Sequence, residues 1–288
     1  MKFIIGLLIV TASVIGGYVL SHGHLDILYQ PYEFLIIFGA ASGAFIAANP
    51  GVVIKEVLRS VPALLKGSRY SKQSYLDLLA LMYELFTKAR KEGLMALEND
   101  IEEPQESPIF SRYPRVLNDH HALEFICDYL RLMVGGSMNA MELENLMEIE
   151  LDTHHEESHL PSHSVTTMAD GLPAFGIVAA VLGVVITMGA ISEPPEVLGH
   201  HIAAALVGTF LGILLAYGYV GPLGSYLGHV KREESKFLEC IKVCIMATLH
   251  GYTPQVAVEF GRKVLYSHVR PGFLELEEHV KSAGRSSA

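Results

Sequence analysis

The sequence predicts an all-α membrane protein, with four transmembrane helices and a helical cytoplasmic domain formed by the 52–170 segment and the C-terminal tail. Three observations lead there. Four stretches are long, apolar and uncharged. Basic residues avoid two of the connections between them. No alternating apolar–polar run is long enough for a sheet.

The first stretch, residues 3–20, is uncharged for 18 positions, longer than a usual signal-peptide core and without a small-x-small cleavage site at its end. It is therefore read as a retained helix. Residues 34–48 add 15 uncharged positions, residues 171–191 add 21, and residues 202–228 add 27. A span needs ~20 mostly apolar residues. The chain is thus divided into 1–50 (spans 1 and 2 with a short outer loop), 51–170 (cytoplasmic helical segment), 171–228 (spans 3 and 4 with a short outer loop) and 229–288 (cytoplasmic helical tail).

Orientation follows from the 21 Lys and Arg residues: Lys2, eleven between 52 and 170, and nine after 228. The connections 21–33 and 192–201 have none. A positive-inside pattern of this kind places both termini and the large segment in the cytoplasm.

Within that segment, residues 74–98 place Leu76, Leu79, Ala80, Tyr83 and Phe86 at helical spacing. Residues 119–152 read as one or two amphipathic helices interrupted by Gly135 and Gly136. The tail from 229 to about 250 reads as a continuation of the fourth span. The acidic run Glu142, Glu144, Glu148, Glu150, Asp152, Glu156 and Glu157 reads as a solvated face. The stretch HHEESHLPSH (154–163) reads as a linker whose spacing fits no zinc signature. His200 and His201 fall in the second outer loop.

Composition excludes several functions. A net charge of −10 argues against a nucleic-acid partner. Cys127, Cys240 and Cys244 all fall on the reducing side, where structural disulfides are not expected. No Ser–Lys pair, HExxH motif or paired intramembrane carboxylate marks an enzyme. No cofactor or metal is expected.

Proteins that move ions usually keep an ionisable residue within their spans, where it is costly. Here Glu33 at the outer edge of the second span is the nearest, so the titrating acid of any ion path is expected from another chain. The spans instead offer small residues and hydroxyls: Gly39-x-x-x-Gly43 and Gly208-x-x-x-Gly212 for close helix approach, Ala180 near the middle of the third span, and Thr209 and Tyr217 about the middle of the fourth. Pro173 and Pro222 lie near the inner ends of spans 3 and 4. Pro173 fits a first-turn proline. Pro222, deep in its helix, frees a carbonyl and bends the axis.

Blocks along the whole chain are similar to the MotA family of flagellar stator proteins: QPYEFLII (30–37), KARKEGLMALENDIE (88–102), FSRYPR (110–115), DYLRLM (128–133), PAFGIVAAVLGVV (173–185), VGTFLGILLAYGYVGPL (207–223), AVEFGRK (257–263) and ELEEHV (275–280). The resemblance implies a proton-driven stator subunit of the bacterial inner membrane. It implies a homo-oligomeric ring of five copies around two copies of MotB, a peptidoglycan-anchored partner that supplies an essential aspartate. Ala180, Thr209 and Tyr217 would face that aspartate. Pro173 and Pro222 would couple protonation to movement, and Arg90 and Glu98 would push the rotor protein FliG. Eight residues on one helix would place those two charges within ~80° of each other. Sodium-driven relatives carry threonines where this chain has Ala180 and Gly208, so the coupling ion is expected to be the proton. The alternative is an ExbB/TolQ-type energiser of outer-membrane processes, which the four spans and the Arg90/Glu98 block disfavour.

Overall fold

A computed structural model describes residues 2–64, 69–136 and 138–285. In chain order the main helices are α1 (Lys2–Leu20), α2 (Pro31–Ala48), α3 (Gly51–Leu64), α4 (Lys72–Glu92), α5 (Glu98–Glu102), α6 (His120–Gly135), α7 (Ala140–Gly189), α8 (Pro195–Ile213), α9 (Gly221–Leu249), α10 (Pro254–Val264) and α11 (Phe273–Arg285). Among the described residues there is no strand. The protein is an all-α membrane protein. Four helical stretches are long and apolar enough to cross a bilayer: Lys2–Leu20, Leu25–Ala48, Ala140–Gly189 and Pro195–Leu249.

The chain forms two compact units: Met1–Gly67 with Glu157–Val230, and Ser68–Glu156 with Lys231–Ala288. The division therefore falls inside the two longest helical stretches. α7 has 50 residues, more than twice what a hydrocarbon core requires. It runs unbroken through 154–163, so the expected linker there is helix. Pro161 and Pro173 are both interior to it. The first-turn account of Pro173 is thereby corrected: the helix begins 33 residues earlier. His200 and His201 likewise lie in the first turns of α8, not in a loop.

In the first unit the seam between α7 and α8 is made by the absence of side chains. A Cβ on Gly176 would meet the Gly208 carbonyl at 3.1 Å, and one on Gly183 would meet the Ala205 Cβ at 2.8 Å. Gly212 is tightest, its Cβ position 2.8 Å from the Leu172 carbonyl and 2.9 Å from the Gly176 Cα. Lipid offers no hydrophobic drive between helices, so this backbone proximity is the source of cohesion. Gly39 and Gly43 make no comparable approach to another helix among the described residues. Ser164 donates to Asn49 at 2.6 Å and Ser162 to the Gly224 carbonyl at 2.8 Å, joining α7 to the neighbouring helices.

The second unit is a helical bundle around α4. Ser71 caps that helix in a reciprocal pair with Ser74. Leu76, Leu79, Ala80 and Phe86 are buried, as their spacing predicts, but so are Leu78, Leu81 and Met82. α4 is therefore surrounded, not amphipathic. The family-like blocks act as braces around it. Arg112 pairs with Glu84, Tyr113 donates to Glu84 at 2.8 Å, and Arg115 reaches Asp77 at 2.7 Å. In α10, Arg262 holds Glu259 through two contacts of 2.6 Å and the Pro271 carbonyl at 2.9 Å. Glu142, Glu148, Glu150 and Asp152 are exposed, as a solvated face requires. The three cysteines are buried and free, and burial pushes the Cys127 thiol up to about 12.

Gly261 lets α10 lie against Cys240 and Cys244. A Cβ there would fall 2.3 Å from Cys244 Sγ and 3.0 Å from Leu79 Cδ2. Gly261→Ala is expected to destabilise this bundle by about 1–3 kcal/mol, the usual cost of overpacking. A lowered midpoint in thermal unfolding of the purified protein checks it.

Candidate functional site

The first group of site residues lies on the α7–α8 seam. Gly208 is packed so that a methyl on it would sit 3.0 Å from Glu33 Oε2, 3.2 Å from Ala179 Cβ and 3.5 Å from the Ala180 backbone nitrogen. Glu33 and Gly208 are buried, and Ala180 and Thr209 are half-buried. The structure thus brings Ala180 and Thr209 to one level and adds Glu33, which the sequence placed at the outer edge.

Glu33 is 9% exposed and its Oε2 has no hydrogen-bond partner among the described residues. A buried carboxyl oxygen with no structural partner is costly and points to use.

The hydroxyls near it are also available. Six helical threonines, at positions 11, 87, 153, 166, 187 and 248, donate to the carbonyl four residues back, the usual way to satisfy a helical hydroxyl. Thr209 makes no such bond among the described residues. Tyr217 is 69% exposed and its hydroxyl also lacks a partner among them. Tyr219, two residues on, is engaged instead, with its hydroxyl 2.8 Å from that of Thr11 in α1.

Tyr217 stands on a π-helical segment, Leu214–Val220, that joins α8 to α9. Pro222 explains it. Its nitrogen cannot donate to the Gly218 carbonyl, and the wider turns redistribute the bonds ahead of it. Gly221 accommodates the wide turn: a Cβ there would be 2.8 Å from the Ala216 carbonyl. The bend expected at Pro222 takes the form of a change of helical pitch.

The second group is Arg90 and Glu98. α4 ends at Glu92, and Gly93 follows at φ +91°, in the left-handed region that only glycine adopts freely. A short 3₁₀ turn, Leu94–Leu97, leads to α5, which Glu98 opens. The two charges are therefore not two turns apart on one helix, and the ~80° relation does not hold. What positions them is a buried anchor beneath. Asp100, 2% exposed, accepts from Lys88 Nζ at 2.6 Å and from the Ser107 hydroxyl at 2.5 Å. Arg131 reaches Glu102 at 2.6 Å. Arg90 and Glu98 are both exposed and make no ion pair or hydrogen bond among the described residues. Arg90 in the last turn of α4 is also where the helix dipole favours a cation. Tyr217, Arg90 and Glu98 are thus exposed and without a partner among the described residues, whereas Glu33 and Gly208 are buried.

Two family descriptions match the chain: Motility protein A N-terminal over residues 4–93, and the MotA/TolQ/ExbB proton channel family over residues 119–239. The chain is 51% identical to Motility protein A of Salmonella typhimurium over 282 residues, covering 98% of this chain and 96% of the relative. It is 41% identical to the chemotaxis protein LafT of Vibrio parahaemolyticus, covering 96% and 98%. Among solved structures, the flagellar MotAB stator complex of Bacillus subtilis aligns with a TM-score of 0.76 at 25% identity, covering 94% of this chain and 98% of that one. The Campylobacter jejuni MotAB structure aligns with a TM-score of 0.77 at 21% identity, covering 92% and 96%, and bears on the fold. With half its residues shared across nearly its full length, this chain belongs to the motility protein A family of flagellar stator proteins, not to the ExbB or TolQ branch.

Proposed function

We propose that the chain drives flagellar rotation with protons, as a ring of five copies around two MotB chains in the bacterial inner membrane, with both termini cytoplasmic. The observation that carries this is a membrane wall whose hydroxyls are left open: among the described residues Thr209 and Tyr217 have no hydrogen-bond partner, and Tyr217 is 69% exposed. The essential aspartate comes from MotB. Glu33 supplies the acid on this chain's side of the path. Proton arrival neutralises the MotB aspartate and departure recharges it. The seam and the Pro173 and Pro222 sites convert that alternation into movement, and Arg90 and Glu98 push FliG. Each proton releases ~2.3 kcal/mol per 100 mV. No catalytic step is involved. Ala180 and Gly208, lacking the hydroxyls that a desolvated sodium ion needs as ligands, favour the proton.

The test is a deletion strain. It is expected to build full flagella that do not turn, and to swim again with the wild-type gene but not with an Arg90→Glu/Glu98→Lys pair. Rescued swimming should survive sodium removal and stop with a protonophore. Absent filaments, or normal rescue by the charge-reversed pair, would count against the reading.

A further inference from the structure

The second unit holds a cluster that the motor reading does not use. His121 from the first turn of α6, His154 from α7 and Glu234 from α9 each point one ligand atom to a common space, all within 4.8 Å of one another. His154 Nε2 is 3.6 Å from Glu234 Oε1, and His121 Nε2 is 3.9 Å from the same oxygen. The two imidazoles are 5.6 Å apart between centroids and inclined at 68°, so they converge and do not stack. We propose that these three residues are a binding site for a divalent transition metal, zinc being the best match, which fastens three helices of the bundle together.

The donor chemistry fits. Two imidazoles and one carboxylate suit zinc, with a fourth tetrahedral position left for water. Bonds of about 2.0–2.1 Å in a tetrahedron put ligand atoms ~3.3 Å apart. The observed separations need to close by only a few tenths of an ångström on the Glu234 side.

Burial divides the work. Glu234 and His154 are mostly buried, at 12% and 18% side-chain exposure, and so are held in place. His121, at 61%, is free to swing and complete the site. Lys231 Nζ, 3.3 Å away, takes Glu234 Oε2, which leaves Oε1 for a metal. His154 Nδ1 is buried without a hydrogen-bond partner among the described residues, so Nε2 is the nitrogen this ring has to offer. The neighbouring His120 is turned away, its Nδ1 2.9 Å from Glu124. The three ligands are 33 and 80 residues apart, which is why no zinc spacing is visible in the sequence.

The test uses the full-length chain purified with its partner in detergent, stripped by chelator and titrated with Co²⁺. The expected result is one equivalent per chain with the visible band of tetrahedral cobalt, displaced by Zn²⁺. In competition with a chromophoric chelator, His121→Ala and Glu234→Gln should each weaken affinity by ~10-fold or more, since even outer-shell changes cost that much. His121 is exposed, so its loss leaves the bundle intact. Zn²⁺ should also raise the unfolding temperature of the parent but not of Glu234→Gln, because a ligand stabilises only the state that binds it. A His200→Ala/His201→Ala control should match the parent. No band at stoichiometric cobalt, or a band unchanged in both His121→Ala and Glu234→Gln, would overturn the proposal and leave a plain His–Glu ionic cluster.

Discussion

Gly212→Val is expected to abolish swimming and to remove most of the assembled stator from the membrane. The position is closed by backbone, not by side chains that could turn aside. The first carbon added would lie 2.8 Å from the Leu172 carbonyl and 2.9 Å from the Gly176 Cα. Relief requires α7 and α8 to separate. Separation also opens the contacts of Gly176 with Gly208 and of Gly183 with Ala205, which share the seam. Each overpacked contact costs about 1–3 kcal/mol, and lipid supplies no compensating hydrophobic force. Swim-plate diameter together with recovery of MotB on a tagged copy measures both effects. Wild-type values of both would mean that the seam is not what holds the two spans.

Glu33→Gln is expected to lower proton uptake by stator-containing vesicles about tenfold, equivalent to about 1.4 kcal/mol on the barrier, while complex yield stays unchanged. The amide keeps the volume and removes the ability to ionise. Oε2 has no partner among the described residues, so the fold loses no bond. A structural role would give the opposite result: unchanged flux per complex and reduced yield. Gly208→Ala should resemble Glu33→Gln in part, because its methyl would press on the same oxygen at 3.0 Å.

The spans were legible because hydropathy and length suffice for them. So were the positions of Ala180 and Thr209 within the third and fourth apolar stretches and the exposure of Arg90 and Glu98. Helix pitch and continuity were not. The 154–163 stretch looks like a linker because His, Ser and Pro161 weaken a helix locally, yet Ser162 and Ser164 tie it to Gly224 and Asn49 and the helix continues. Gly93 was visible as a weak point, but not that its φ of +91° ends α4 and separates Arg90 from Glu98. What the sequence did not show is that the Glu33 side chain is buried against Gly208.

The π-helical segment before Pro222 has one more consequence. Successive residues of an α-helix advance by about 100°, and a wide turn takes up one extra residue without adding a regular turn. A helical wheel drawn straight from Pro195 to Leu249 therefore assigns the wrong face to residues beyond Val220. The face that carries Thr209 is not continued by counting in steps of 3.6, and side chains after the bulge are phased by a residue. The two halves of this long helix can each present their own preferred surface, because the chain changes phase where they meet.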